Sequence, residues 1–373
     1  MAFCHGLSDR LDMGNRFDLL RLAAALAVFA AHGEFLYRLR LPVPFPGHSL
    51  GSLAVYVFFF ISGYLVCRSW MRDPVWGAFW LKRLMRVFPG LIVSVAFSVF
   101  VLGWGVTTLG SADYFSAPAT WRNFFNNAAG LATVQTLPGV FETNPFAKAV
   151  NGSLWTIRYE LAMYLVLVLV ALCVRGRRWV YPVVAALLAV LWQVASAAGW
   201  DVSLSASRSL FAEVFRWRDF CAFGVPFFVG STLAVYDVRP RVWMMVVAVA
   251  GFACAWGAVD AWVRQMAVWT GVSCGIFYIA HVGASTIGSQ RWRADLSYGV
   301  YIYAFPVQQA VTEHGLRAGW DLAWCLSVSL ALILTLALLS WYGVERPCIL
   351  AAQRYLKRGA AQHGAATKPA TSS

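Results

Sequence analysis

The sequence predicts an all-α, polytopic membrane protein, a bundle of about ten transmembrane helices, and three observations carry that prediction. The chain is 60% hydrophobic and only 13% charged, with mean hydropathy +0.63, outside the range of soluble domains. Its apolar runs recur at close to the roughly 20 residues that a helix needs to cross a bilayer. Its Lys and Arg residues gather in short connections, as the positive-inside rule requires of cytoplasmic loops. The expected spans are 17–37, 50–68, 87–106, 153–174, 179–198, 217–237, 242–260, 264–285, 295–313 and 321–343. With the N-terminus inside, most of the 30 basic residues fall on the cytoplasmic side, and ten crossings return the C-terminus there. The membrane domain covers 1–347, and 348–373 form a cytoplasmic tail, rich in Ala, Gly, Thr and Ser and expected to be disordered from about 359.

Composition also excludes classes. A net charge of +13 invites a nucleic-acid reading, but the charges lie between hydrophobic spans and no soluble basic domain exists. The eight cysteines are scattered, with no CxxC pair and no His/Cys cluster at zinc spacing, so neither a disulfide framework nor a metal site is expected. Met1 to Asn15 is polar, and the first apolar run ends in His32-Gly-Glu34, not in a signal-peptidase site. Oligomeric state has no signature in the pattern.

Span one holds Arg21 and His32, eleven residues apart. At about 100° per residue, both side chains share a face about 16 Å apart along the axis, with Asp18 on the same stripe. Ionisable groups inside a membrane are costly and mark pathways or catalysis; the plainer alternative is an interface anchor at Arg21 and a satisfied polar residue at His32. Span two contains Ser62-Gly63, a small polar break at which a neighbouring backbone or a ligand can approach, or ordinary small-residue packing. At the start of span three, Arg83 and Arg86 are neighbours on one helix face, with Lys82 beside them. Paired guanidinium forks suit phosphate oxygens, although a topology signal has the same appearance. Span four opens with Ser153-Leu-Trp155-Thr-Ile-Arg158-Tyr-Glu160. Glu160 is expected about 10 Å down that helix, at the depth of His32, with an ion pair to Arg158 or Arg216 as the structural alternative.

The 107–152 stretch is expected outside the membrane, with a short interfacial helix over 123–136, and Asn151-Gly-Ser153 matches a chance-level glycosylation sequon. Arg38, Arg40, Arg208, Arg216 and Arg218 fall on the outer side against the charge rule. They are either interface arginines or a surface for an anionic substrate. Ser297-Tyr-Gly-Val-Tyr301 and Glu345-Arg-Pro347 read physically as only a helix start and a helix end.

Taken in order, these patterns resemble the membrane acyltransferase family 3. Arg-x10-His occurs at Arg21 and His32, and Phe-Phe-x-Ser-Gly-aromatic at Phe59 to Tyr64. Arg-x-x-Arg occurs at Arg83 and Arg86, Ser-Leu-Trp-Thr-x-x-x-Glu at Ser153 to Glu160, Ser-Tyr-Gly-x-Tyr at Ser297 to Tyr301, and Glu-Arg-Pro at Glu345 to Pro347. One departure is Ala54-Val-Tyr56-Val-Phe-Phe59, which lacks the aspartate common in the family's second motif. No hydrolase-like domain follows span ten. The resemblance implies a multi-pass enzyme of a bacterial inner membrane that moves an acyl group, typically acetyl, from cytoplasmic acyl-CoA to a hydroxyl of an extracytoplasmic sugar or polysaccharide. It implies His32 as general base or acyl relay, with Glu160 in support, and Arg21, Arg83 and Arg86 holding the acetyl-CoA donor. Trp155, Ser62 and Tyr64 are the expected substrate contacts, and no metal is implied. The alternative from another class is a non-enzymatic transporter or flippase of a lipid-linked glycan. That class leads one to expect inverted repeats, and none is visible here.

Overall fold

Apolar runs fold as helices because a lipid interior offers backbone N–H and C=O groups no other partner. The computed structural model describes residues 16–130, 132–174, 176–199, 215–282 and 294–366, so Arg208 lies outside the described residues. Helix α1 spans Phe17–Leu36, α2 Leu50–Arg72 and α3 Trp76–Ala96. The last continues through a π-helical stretch, Phe97–Gly103, to Val106, making one 31-residue helix. Short helices α4 (Ser111–Ser116) and α5 (Pro118–Ala128) follow. A 3-10 turn at Leu154–Thr156 leads into α6 (Ile157–Val174), then come α7 (Val180–Ala197), α8 (Trp217–Val235) and α9 (Val242–Gly257). Helix α10 is Ala261–His281, α11 Ser297–Ala318 and α12 Leu322–Ser340; a π turn over Trp341–Glu345 joins α12 to α13 (Arg346–Ala366). Side-chain caps start several of them: Ser49 accepts from the Ser52 amide at α2, Asp260 from Val263 at α10 and Asp321 from Trp324 at α12.

Among the described residues there is no named strand, and seven helices are long and apolar enough to cross a membrane: α1, α2, α3, α6, α7, α8 and α12 with its continuation. Helix α9 has only 16 residues, while α10 and α11 are 21 and 22 residues long and carry several polar side chains. The helix expected over 87–106 starts earlier, at Trp76, so Lys82, Arg83 and Arg86 lie about two to three turns inside α3.

Packing divides the bundle into two apolar clusters. One is built on α2, α6, α7, α8 and α10, with Phe60, Tyr159, Phe227 and Phe277 fully buried. The other joins α1, α3, α11 and α12 around Ala25, Leu91, Ile302 and Ile333. Helices α2 and α8 meet backbone to backbone: a Cβ on Gly63 would lie 1.9 Å from the Phe227 carbonyl oxygen, and one on Gly230 would lie 2.3 Å from that of Phe60. Gly63 is thus a packing glycine, the second of the two readings given for Ser62-Gly63.

The 107–152 stretch departs most from expectation. Its helix is Pro118–Ala128, because the Asn123 and Asn127 side chains bend the chain back by donating to the Val134 and Thr136 carbonyls. Residues 132–153 then run as an irregular arm against α11. Asn151 Nδ2 donates to the Ile302 carbonyl at 2.9 Å, and Gln309 Nε2 donates to the Phe146 and Ala149 carbonyls at 2.7 Å each. Non-helical backbone is tolerated among transmembrane helices only when protein groups satisfy it in this way. Asn151 is 5% exposed, so the sequon is closed to glycosylation in this fold.

Candidate active site

At one end of the bundle, four ionised side chains from α1, α3, the start of α11 and the π turn after α12 close on each other. Asp295, just before α11, accepts from Arg21 Nη1 of α1 at 3.0 Å and from Arg86 Nη2 of α3 at 2.5 Å. Arg86 Nη1 also reaches Glu345 at 3.3 Å, and Ser340 donates to the other oxygen of that carboxylate. Tyr298 and Trp341 cover the Arg86 guanidinium, each with its ring centroid 5.7 Å away. Burial on its own raises the Asp295 carboxyl, but Arg21 and Arg86 outweigh it and hold the group well below the usual carboxylate range. The two distant motifs at Ser297–Tyr301 and Glu345–Pro347 are therefore parts of this one cluster, beyond the helix start and end that their local patterns indicate. Ser297 donates to Asp295 through its hydroxyl and its amide, Tyr298 donates to the Val87 carbonyl of α3, and Glu345 closes on Arg86.

Beside this cluster, at the seam of the two apolar clusters, lies a cavity of about 420 Å³ with a basic wall of Arg21, Arg72, Lys82, Arg83 and Arg86. Lys82 is paired with Asp73 at 2.6 Å. Arg83 differs from its neighbours: among the described residues it has no ion pair, and its buried Nε has no hydrogen-bond acceptor. The cavity narrows between Ser62 and Glu160. Ser62 Oγ donates to Glu160 at 3.2 Å, and Tyr164 donates to the same carboxylate oxygen. Arg21, Ser62, Glu160 and Tyr298 also line a second, narrower cleft, bounded above by Val55, Phe58, Phe59, Ile157 and Tyr301. Tyr301 shares a 2.6 Å hydrogen bond with Thr156, and its ring meets Phe58 edge to face at 5.6 Å.

His32 lies further along α1 and lines neither opening. Helices α1 and α2 run antiparallel, with Gly51 against Ala31: a Cβ on Gly51 would be 3.1 Å from that of Ala31. Val55, at the top of the cleft, is thus level with Ala27, roughly 7 Å short of His32 at 1.5 Å per residue. The His32 ring stands edge-on to Phe305 at 5.0 Å, and its Nδ1 is buried with no hydrogen-bond partner.

A family model described as an acyltransferase domain matches residues 15–342, nearly the whole chain. The chain belongs to this acyltransferase family. A relative named "O-acetyl transferase" from Shigella phage Sf6 is 31% identical over 346 residues, covering 90% of this chain and 96% of its own. "Nodulation protein 10" of Rhizobium leguminosarum bv. viciae is 27% identical over 364 residues, covering 90% and 93%. No solved structure matches the chain.

In the acyltransferase, the fold brings Arg21, Ser62, Arg83, Arg86 and Glu160 around one pair of adjoining openings. It does not bring Glu160 to His32, because α6 begins only after the arm has passed inward; Thr156, at its start, already touches Tyr301, just one turn into α11. Nor does Glu160 take an ion pair with Arg158 or Arg216; Ser62 and Tyr164 serve it instead. Trp155 packs on Tyr159 and Phe223 at 5.8 and 5.6 Å, away from both openings. Tyr64 is buried against Phe17 and Phe277, and its hydroxyl accepts from Arg68 at 2.6 Å. Asp295, Tyr164, Thr156 and Tyr301 are given no role by the sequence, although Thr156 and Tyr301 stand in the Ser-Leu-Trp-Thr and Ser-Tyr-Gly-x-Tyr motifs and Asp295 lies two positions before the latter.

Proposed function

We propose that the acyltransferase transfers an acetyl group from cytoplasmic acetyl-CoA to a hydroxyl of an extracytoplasmic glycan or glycolipid. It does so from a bacterial inner membrane, which it crosses about ten times with both termini inside. What supports this reading is the 420 Å³ basic cavity, in whose wall Arg83 forms no ion pair among the described residues, adjoining a cleft lined by α2, the start of α6 and the start of α11. With no direct ion pair among those residues, the Arg83 guanidinium is available to an anionic nucleotide, and guanidinium forks suit phosphate oxygens. Arg21 and Arg86, already neutralised by Asp295 and Glu345, contribute their remaining N–H donors and hold the wall in place. The carboxylate of Glu160, at the neck, accepts an N–H from the amide-bearing donor arm, and Ser62 and Tyr164 keep it aimed. The name of the phage relative supports acetyl as the group moved.

His32 is the catalytic base. A neutral imidazole takes the proton from the attacking hydroxyl as that oxygen bonds to the thioester carbonyl carbon, and the thiolate leaves. In the relay variant, imidazole itself accepts the acetyl group and then passes it on. In either case the thioester must advance past the Phe58–Tyr301 pair that caps the cleft. The test is to incubate membranes holding the full chain with radiolabelled acetyl-CoA and a surface-glycan acceptor. Label should enter the glycan and be lost in His32→Ala at equal abundance; normal labelling by His32→Ala removes the histidine from the reaction. A labelled, hydroxylamine-sensitive protein in the absence of acceptor would select the relay, and its absence the direct base.

A further inference from the structure

We propose that Phe35, Phe146, Asn144, Gln308 and Glu313, at the His32 end of the bundle, form the subsite that holds the acceptor as a neutral sugar ring. This assignment rests on the transfer reading above. Its first support is a ladder of aromatic rings that descends from the surface to the imidazole. Phe35 is 55% exposed and lies 5.9 Å from Phe146; Phe146 lies 6.0 Å from Phe305, which lies 5.0 Å from His32. Aromatic faces of this kind match the C–H faces of a pyranose.

The second support is a pattern repeated on two elements. Gln308 Nε2 donates to the Phe29 carbonyl at 3.1 Å, leaving Oε1 buried with only the His32 imidazole as a neighbouring donor. Asn144 Nδ2 donates to the Gln309 carbonyl and side-chain oxygens at 2.9 and 2.8 Å, leaving its Oδ1 buried and without a donor. Glu313 accepts from Arg317 through one oxygen, and the other is buried and unpartnered. Gln308 and Glu313 lie within about 140° of one another on α11, with Phe305 and Gln309 between them, and Asn144 docks on Gln309. In each residue one end is anchored and an acceptor oxygen is left free. Buried acceptors without donors are rare and call for a partner, and a sugar presents a rim of O–H donors to suit them. A rim that merely faced lipid would need none of these oxygens.

The loop that carries Asn144 and Phe146 is held rigidly. The Lys148 amide donates to the Phe141 carbonyl at 2.9 Å, and both residues adopt left-handed backbone, with φ 64° and 55°. Such strain persists only where the surroundings enforce it. Helix α1, the loop and α11 thus present the sugar to His32 Nδ1 from three sides.

The test uses the full chain in nanodiscs and a panel of methyl hexosides as probes, with binding read by saturation-transfer NMR in the absence of donor. Acetyl-CoA affinity is measured separately. Wild type should bind at least one hexoside in the millimolar range. Phe146→Ala and Gln308→Met should each weaken that binding about tenfold, a change of about 1.4 kcal/mol, and leave acetyl-CoA affinity within about twofold. Trp324→Ala removes an aromatic that is 55% exposed at the same end of the bundle but outside the ladder, and it should leave hexoside binding unchanged. Phe146 is 39% exposed, so its loss tests the ladder without opening the core. Undiminished binding in both ladder variants, equal loss in Trp324→Ala, or no hexoside binding by wild type would overturn the assignment. Hexoside binding through the ladder by a chain that does not bind acetyl-CoA would sink the donor reading and leave this subsite standing.

Discussion

At the Arg21 end of the molecule, ionised side chains saturate one another, whereas at the His32 end amides are pinned by their donors and left with idle oxygens. Two arginines and two carboxylates meet at the first end, and Glu345 is only 1% exposed there. Removing one partner of a buried ion pair leaves an uncompensated charge and is strongly destabilising. The contrast separates two arginines that look alike in sequence. Arg86 is consumed by Asp295 and Glu345 and acts as a strut, while Arg83, one helical turn earlier, is left with capacity for an anion. The far end faces a different partner. A cluster of carbonyl oxygens around a lone imidazole suits a neutral hydroxylated ligand and would repel a phosphate.

The comparison can be broken at either end. The largest effect is expected from His32→Ala, which should lower the acetyl-transfer rate by about 10² to 10⁴, the usual range for a lost general base. Acetyl-CoA affinity should be unchanged by isothermal titration, because the ring lies outside both openings. Next comes Asp295→Asn, which strips Arg21 and Arg86 of a shared counter-charge. It should cost about 3 kcal/mol of stability, read as a lowered melting temperature in detergent, and Arg86→Ala should behave similarly. Arg83→Gln should do the reverse: about tenfold weaker acetyl-CoA binding, with a melting temperature close to wild type. Equal destabilisation by Arg83→Gln and Arg86→Ala would erase the distinction between strut and binder.

The smallest effect concerns pH. The folded-state pKa of Asp295 is depressed, so its contribution to stability is complete above the unfolded value near about 3.9 and is lost as pH falls through the folded value. The stability difference between wild type and Asp295→Asn should therefore stay flat from about pH 5 to 8 and shrink only in strong acid. A difference that changed across the neutral range would point to another titrating group.

Much of this arrangement can be read from the chain before any coordinates are known. Run length and hydropathy locate the long helices, and Arg21, Arg83 and His32 stand out because charge is expensive among apolar neighbours. What spacing cannot supply is pairing across the sequence. Asp295 and Arg21 are 274 residues apart, so neither local pattern names the other. Trp155 illustrates the limit of a motif: an aromatic there suggests a sugar platform, and its ring packs edge-on to Tyr159 and tilted against Phe223 outside both openings. The arm over 132–153 reads as an outer loop because its Asn residues are polar, and those same amides are what let it enter the bundle.

That arm also sets an order for biogenesis. Its Asn151 amide finds its carbonyl on a helix translated 151 positions later, so a ribosome must deliver α11 before the segment can settle. A nascent chain ending before Ser297 should leave 132–153 open to protease while its earlier hairpins are already inserted. His32, whose ring meets Phe305 of α11, likewise acquires that neighbour only after α11 has been made.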